Sequence, residues 1–393
     1  MRNTPAHVRK AFDRRRRDGP APRRHQQQKA GVPQIRRGLA GFPRQRNQST
    51  GMEQEMANES FDVNQLEYLK QMIGTWKGRG FSQIQLPEDG KTQASRDRLN
   101  AQNAYLKSTT PAHRSKFNTT QETLTFSAVD HPFSRIGSGD EQSPLFALRY
   151  LQDIVDPDPR LNDPLFKDHL HHEPGYWLYA PGAGSIRLPA DLDGRTPNKT
   201  KPGFSMRNGH VVRQAMIPHG NALVAIGNIA GFTGAPDFSA LSTQPSDPNN
   251  GANVPVSGDQ LKLLDRYAVE VLETNSFPAE MTTAEKIELA GNPAKLLEHD
   301  LARLKLGGDT VVSTLQIHMV AASTGISNIP HLQRNANVQA NRGTARFSAT
   351  FFLESIQTKE GHQRLQLQYS QTLFLDFTGF SWPHHTVGTL IRQ

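Results

Sequence analysis

The chain has 393 residues, enough for one large domain or two ordinary ones, and contains no cysteine. That removes disulfides, cysteine-ligated zinc, iron–sulfur clusters and thiol nucleophiles, leaves any metal to histidine, carboxylate or a macrocycle, and fits a reducing, cytoplasmic setting. The net charge of +8 sits at the start: residues 1–50 carry 14 Lys or Arg against two acids (+12), and the rest carries 31 against 35 (−4).

The body is therefore mildly acidic, and a specific nucleic-acid role for the whole chain has no support. No apolar run reaches the length of a membrane-spanning helix, and no apolar segment opens the chain as a secretory signal would.

Residues 1–58 read as a disordered basic tail. They hold Arg14 to Arg17, a glutamine run at 26–28 and scattered Pro and Gly. Such a segment buries too little apolar surface to offset its ordering entropy. Three readings stand for it: an Arg-rich presequence, a basic arm for an anionic partner, or upstream sequence brought in by the choice of start codon. The last is preferred, because the tail has no amphipathic period and Met52 and Met56 directly precede ordered-looking sequence.

Residues 59–393 read as one domain. Leu66, Leu69 and Ile73 share a face and predict one short helix over 65–73, ended by Gly74. A strand opens at Gly74. Period-2 patterns then predict strands over 117–126, 176–179, 211–217, 222–226, 267–272, 310–321, 345–356, 364–377 and 382–391. The pattern is clearest over 364–377, where Leu365, Leu367, Tyr369, Leu373, Leu375 and Phe377 fall on one face. A Pro-His-Gly turn at 218–220 separates two of the strands. Pro293 opens a helix over 294–304, and 164–169 reads as one further helical turn. Stretches 157–168, 182–208 and 232–260 are rich in Pro, Gly, Asn and Asp and read as long surface loops. Many strands with few helical crossovers predict an antiparallel all-β fold, for which a sandwich and a barrel both fit the pattern.

Chemistry-bearing residues are few. Histidines gather at His169, His171 and His172 and again at His384 and His385. Strand alternation sends His169 and His171 one way and His172 the other, and admits only one of His384 and His385 to a barrel interior. His219 reads as a turn residue, His331 as a loop residue, and His318 as a core histidine or a pocket-wall donor. Glu122 and Glu173 read as isolated carboxylates in hydrogen bonds. Phosphate-cradling, dinucleotide-binding and nucleophile-elbow sequences are absent.

Four motifs, in order, resemble those of the nitrobindin family, the haem-binding β-barrels also found at the C-terminus of some THAP proteins. Gly74-Thr75-Trp76-Lys77-Gly78-Arg79-Gly80 is similar to the opening GTWxGxG strand. Glu122-Thr123-Leu124-Thr125-Phe126 is similar to the next strand, which carries a Glu. His171-His172-Glu173-Pro174-Gly175-Tyr176-Trp177 is similar to HRExGFW, with His172 in place of its Arg. Trp382-Pro383-His384-His385, followed by Leu390 and Arg392, is similar to the closing PHLxAxLxR strand. The match spans about 62–393 as separated islands, and the long loops are extra.

The resemblance implies a closed antiparallel up-and-down β-barrel of the lipocalin or fatty-acid-binding kind, holding haem b. Its axial ligand is expected at His384, chosen by the Pro-His step, with His385 as runner-up because the spacing to Leu390 and Arg392 favours it. Trp382, His171 and Thr75 are expected beside the cofactor. The implied chemistry is ferric haem that binds nitric oxide and isomerises peroxynitrite, or meets peroxide-type ligands. Two alternatives stay open: a carrier of an apolar small molecule or lipid, and a haem enzyme acting on an organic substrate.

Overall fold

The computed structural model describes residues 62–87, 113–135, 143–157, 169–181, 198–217, 221–243, 277–328, 346–377 and 380–393. The tail 1–58, the strand expected over 267–272, the Pro-His-Gly turn and most of the three expected loops lie outside the described residues. All described elements fall within one contact unit, Glu59–Gln393.

Eleven strands form the fold: β1 (Gly74–Pro87), β2 (His113–Ala128), β3 (Phe133–Arg135), β4 (Ser143–Val155), β5 (His169–Ala180), β6 (Ser205–Met216), β7 (Asn221–Thr233), β8 (Thr310–Asn328), β9 (Phe347–Gln357), β10 (Gln363–Phe377) and β11 (Phe380–Arg392). Every pairing is antiparallel, and all but β1–β11 and β2–β4 run between neighbours in the chain. A β2–β4 ladder and a β1–β11 ladder close ten strands into an up-and-down barrel, with the short β3 hung on β4. Closure leaves those ten strands without an open edge, which settles the choice between barrel and sandwich.

Alternation divides the strands between two environments. Trp76, Leu124, Tyr150, Trp177, Val211, Ile229, Ile317, Phe351, Tyr369 and Leu390 belong to one buried cluster inside the barrel. Inside it Phe351 stacks on Tyr369 at 5.3 Å and meets Trp177 edge-on at 4.8 Å. One end is plugged by Val63–Met72. Its Leu66, Leu69 and Met72 enter the cluster, and Trp76 Nε1 donates to the Met72 carbonyl at 2.7 Å. The expected helix over 65–73 is realised as 3-10 turns broken at Glu67 (φ 44°). That break turns three apolar side chains into a narrow mouth.

The outer face of β1, β2 and β11 is covered by α1 (Thr283–Gly291) and α2 (Lys295–Leu306). Phe81, Phe117 and Val387 pack there against Met281, Leu289, Leu296 and Leu297. Arg79 pins the cover by ion pairs with Glu280 and Asp300. The helix expected over 294–304 is α2, with Ala294 at its N-cap; α1 and β4 go beyond the expected elements. Two expected loops are shorter than their composition suggested, because β6 already starts at Ser205 and β7 runs on to Thr233. No helix among the described residues is long and apolar enough to cross a membrane.

Candidate functional site inside the barrel

Above the apolar floor the interior turns polar. Glycine makes the room. A Cβ on Gly388 would stand 2.6 Å from the Tyr369 ring, and one on Gly80 would strike Glu122 and Thr120. These bare positions let Glu122 lie flat inside the wall, 2 % exposed. It accepts from Thr120 (3.0 Å), Tyr369 (2.5 Å) and Gln152 (3.4 Å). Burial pushes its carboxyl above the usual range despite these donors.

A second cluster adjoins it. Arg213 on β6 donates to Glu173 Oε1 through Nη2 at 2.5 Å and Nε at 3.1 Å, to Tyr150 through Nε at 3.0 Å, and to Gln371 through Nη1 at 3.1 Å. Tyr150 also donates to Glu173. His171 Nε2 lies 3.0 Å from Glu173 Oε2. Burial pushes the Glu173 carboxyl up, but Arg213 and His171 outweigh it and hold the group down at about 2. Glu173 is thus a fixed anion that orients His171. Both carboxylates are hydrogen-bond partners, as the sequence suggests, yet they belong to joined networks and are not isolated.

The two C-terminal histidines separate cleanly. β11 pairs with β1 and β10 without a register shift, so alternation holds through Pro383. His384 shares the inward face of Gly388 and Leu390, between Ile84 and Leu373 on the flanking strands. Its Nε2 is buried with no hydrogen-bond partner. Burial, and secondarily its neighbour His385, lower its pKa to about 4, so the ring is neutral. His385 faces outward, 2 % exposed, beneath the cover. Its Nδ1 meets Thr372 Oγ1 at 2.8 Å and its Nε2 donates to the Ser242 carbonyl at 2.9 Å, so both nitrogens are occupied.

The other expected residues divide likewise. Trp382 is fully buried on the face of His384. His171 faces inward and His172 outward, where it pairs with Asp153. Thr75 corrects one expectation. It lies on the opposite face from Trp76, 3.5 Å from Thr125 Oγ1 on the outside of the barrel, because a one-residue offset from an inward tryptophan reverses the side. His385, the runner-up, is corrected for the same reason. His318 lies on the outer face, bonded to Thr350 at 2.8 Å, and is not a wall of the interior.

Three of the ten wall strands separate β11 from β5 on one side and five on the other, so His384 and His171 project from nearly opposite walls. His384 lies six residues before Leu390 and His171 eight before Tyr179, both counted from the plugged end. The inner wall of β6 to β9 carries the small Ala215, Ala225, Ala321 and Ala349. The arrangement offers one neutral, unpartnered imidazole, a second imidazole held by an ionised carboxylate, and small side chains between. A metal held by three or more His, Asp or Glu side chains is not found among the described residues. A macrocycle-borne metal would ask the protein for one buried imidazole nitrogen, and His384 Nε2 is the residue atom that would supply it.

Arg213, Tyr150, Gln152 and Tyr369 were not singled out by sequence reasoning. The signal was present: Arg213 shares its face with Val211 and Ala215, a charge where a core side chain belongs.

No protein-family model, no curated protein and no solved structure matches the chain. The class that fold and interior define is a closed up-and-down β-barrel with a polar layer above an apolar floor.

Proposed function

We propose that the barrel holds haem b on His384, as the resemblance to nitrobindins implies, and presents it to nitric oxide, peroxynitrite or peroxide-type ligands. The observation that carries the reading is the inward His384, whose Nε2 is buried without a partner. A buried nitrogen left unsatisfied costs about 1–3 kcal/mol, and such exceptions call for an explanation; a metal bond supplies one. Neutrality suits it, since a protonated imidazole cannot ligate. Ferric haem, held there by His384, would supply an iron able to bind a small ligand.

The chain's own residues do the rest. The aromatic floor excludes water from below, and Trp382, two residues beyond His384 on the side away from that floor, is fully buried. His171, aimed by Glu173 and through it by Arg213 and Tyr150, holds a proton on Nε2 and is the candidate polar contact on the far side. Arg213 counts against a fatty-acid carrier. Its charge is already matched by Glu173, so it offers no free guanidinium to a ligand carboxylate.

The test is reconstitution with haemin. The wild-type protein is expected to give a sharp Soret band at one equivalent. His384→Ala should lose the band, while His385→Ala should keep it if the variant folds. Normal spectra from both single variants and the double variant would sink the assignment. Failure of the wild type to bind haem, with uptake of an apolar fluorescent probe, would transfer the interior to the carrier reading.

A further inference from the structure

The outer wall of β8, β9 and β10 carries a patch of polar side chains that would normally face water, yet Thr314, Gln316, Glu354, Gln366 and Gln368 are at most 4 % exposed. On the β8 side Thr314 donates to the Gly234 carbonyl at 2.7 Å and Gln316 accepts from Asn198 at 2.9 Å; on the β10 side the patch meets α2. Gln368 Nε2 donates to the Leu297 carbonyl of α2 at 3.2 Å and to Thr389 Oγ1 at 2.9 Å. Gln366 Nε2 donates to Glu354 Oε2 at 2.7 Å. Two atoms remain: Glu354 Oε1 and Gln368 Oε1 are buried with no partner.

Register makes them neighbours. Gln366 is directly opposite Glu354, and Gln368 is the next residue on the same face. Such diagonal positions lie about 7–8 Å apart at the backbone, within reach of long side chains. Two adjacent acceptors without a donor are a costly pairing in a dry interface. A single proton on Glu354 Oε1 satisfies both. Calcium and magnesium ask for about six or more oxygens, and this pair falls well short.

We infer that Glu354 is a neutral carboxylic acid whose proton is donated to Gln368 Oε1, and that this hydrogen bond latches α2 onto the barrel. With the carbonyl of its amide so engaged, Gln368 aims its Nε2 at Leu297 and Thr389. When Glu354 ionises, its Oε1 becomes an acceptor in need of a donor. The Gln368 amide can supply it by turning over, which gives up the Leu297 carbonyl. Alkaline pH thus unlatches α2.

The surroundings leave the proton to this pair. Burial raises the Glu354 carboxyl to about 8, opposed by Gln366. Arg364 of β10 is paired with Asp309, and Asp300 of α2 with Arg79. Arg303 pairs with Glu280, Lys295 with Glu298, and His299 lies 3.9 Å from Glu285. His318 of β8 is bonded to Thr350, and Lys77, Lys305 and Arg392 are exposed.

The experiment compares melting temperatures of the full chain and Glu354→Gln from about pH 5 to about pH 9. The folded pKa lies above the unfolded one, so the stability it confers is present below about 4.5 and lost as pH rises through about 8. The wild-type curve should therefore fall relative to that of Glu354→Gln and cross below it at alkaline pH. Parallel curves would overturn the inference, as would a wild-type shift that follows the choice of potassium, sodium or choline chloride at equal ionic strength. Should Glu354→Gln fail to fold, infrared spectra decide on the wild type and Gln368→Leu. A protonated-carboxyl band at neutral pH that vanishes on alkalinisation and moves in Gln368→Leu supports the latch. Lack of that band refutes it.

Discussion

Arg213 and Glu173 meet inside the barrel with each side chain 1 % exposed, and the guanidinium reaches the carboxylate through two of its nitrogens. Desolvating both groups is expensive, so the pair is a poor source of net stability, but breaking it strands one charge. Arg213→Met should destabilise the fold by about 3–5 kcal/mol, and adding Glu173→Gln to it should recover much of that loss. Urea melts of the single and double variants check it. An additive pair of losses would mean that the two do not act together.

The same carboxylate sets an acid limit. Its folded pKa of about 2 lies below the ordinary 4.5. Its contribution is therefore present above about pH 4.5 and lost as pH falls toward 2. Glu173→Gln should be less stable than wild type at neutral pH and lose less on acidification. Melting curves in stepped buffers measure the difference.

His384 and His385 should have opposite effects on the ligand-free protein. His384→Leu removes a buried nitrogen without a partner while keeping the volume, and is expected to stabilise by about 1 kcal/mol. His385→Leu strands the Thr372 hydroxyl and the Ser242 carbonyl and is expected to cost about 1–3 kcal/mol. Thermal melts of haem-free samples read both. Equal losses would argue that His384 is an ordinary packing residue.

Gly80→Ala should also be costly. The new methyl group would strike Glu122, the Val387 carbonyl and Thr120, and the backbone part of that wall cannot yield. Overpacking of this kind costs about 1–3 kcal/mol. Gly291→Ala is the control, since nothing lies within 4 Å of its added carbon.

Strands β10 and β11 were legible because their alternation matches their burial. β4 was not, because its pattern is inverted in places: Leu151 is 36 % exposed on the outside while Gln152, at 2 %, points in. Thr282 and Glu285 form a capping box, a signal that would have found α1. At the site, alternation restricted the interior to one of two adjacent histidines, and the unbroken β11 ladder decided between them. The polar networks were illegible for a different reason. Glu122, Tyr369, Arg213 and Glu173 meet only when distant strands are wrapped into a ring, and sequence separation hides that adjacency.

Closure of the ring joins β1 to β11, so Trp76 must find Arg392 across almost the whole domain. Contacts of such long range form slowly, because loop entropy is lost before pairing is gained. His384 lies on this seam, opposite Ile84. Assembly of the interior histidine pair and sealing of the cylinder are therefore one kinetic event. A ligand held by His384, as proposed, would act as a rivet on this seam and would stabilise the sealed state by mass action, rising with the logarithm of its concentration.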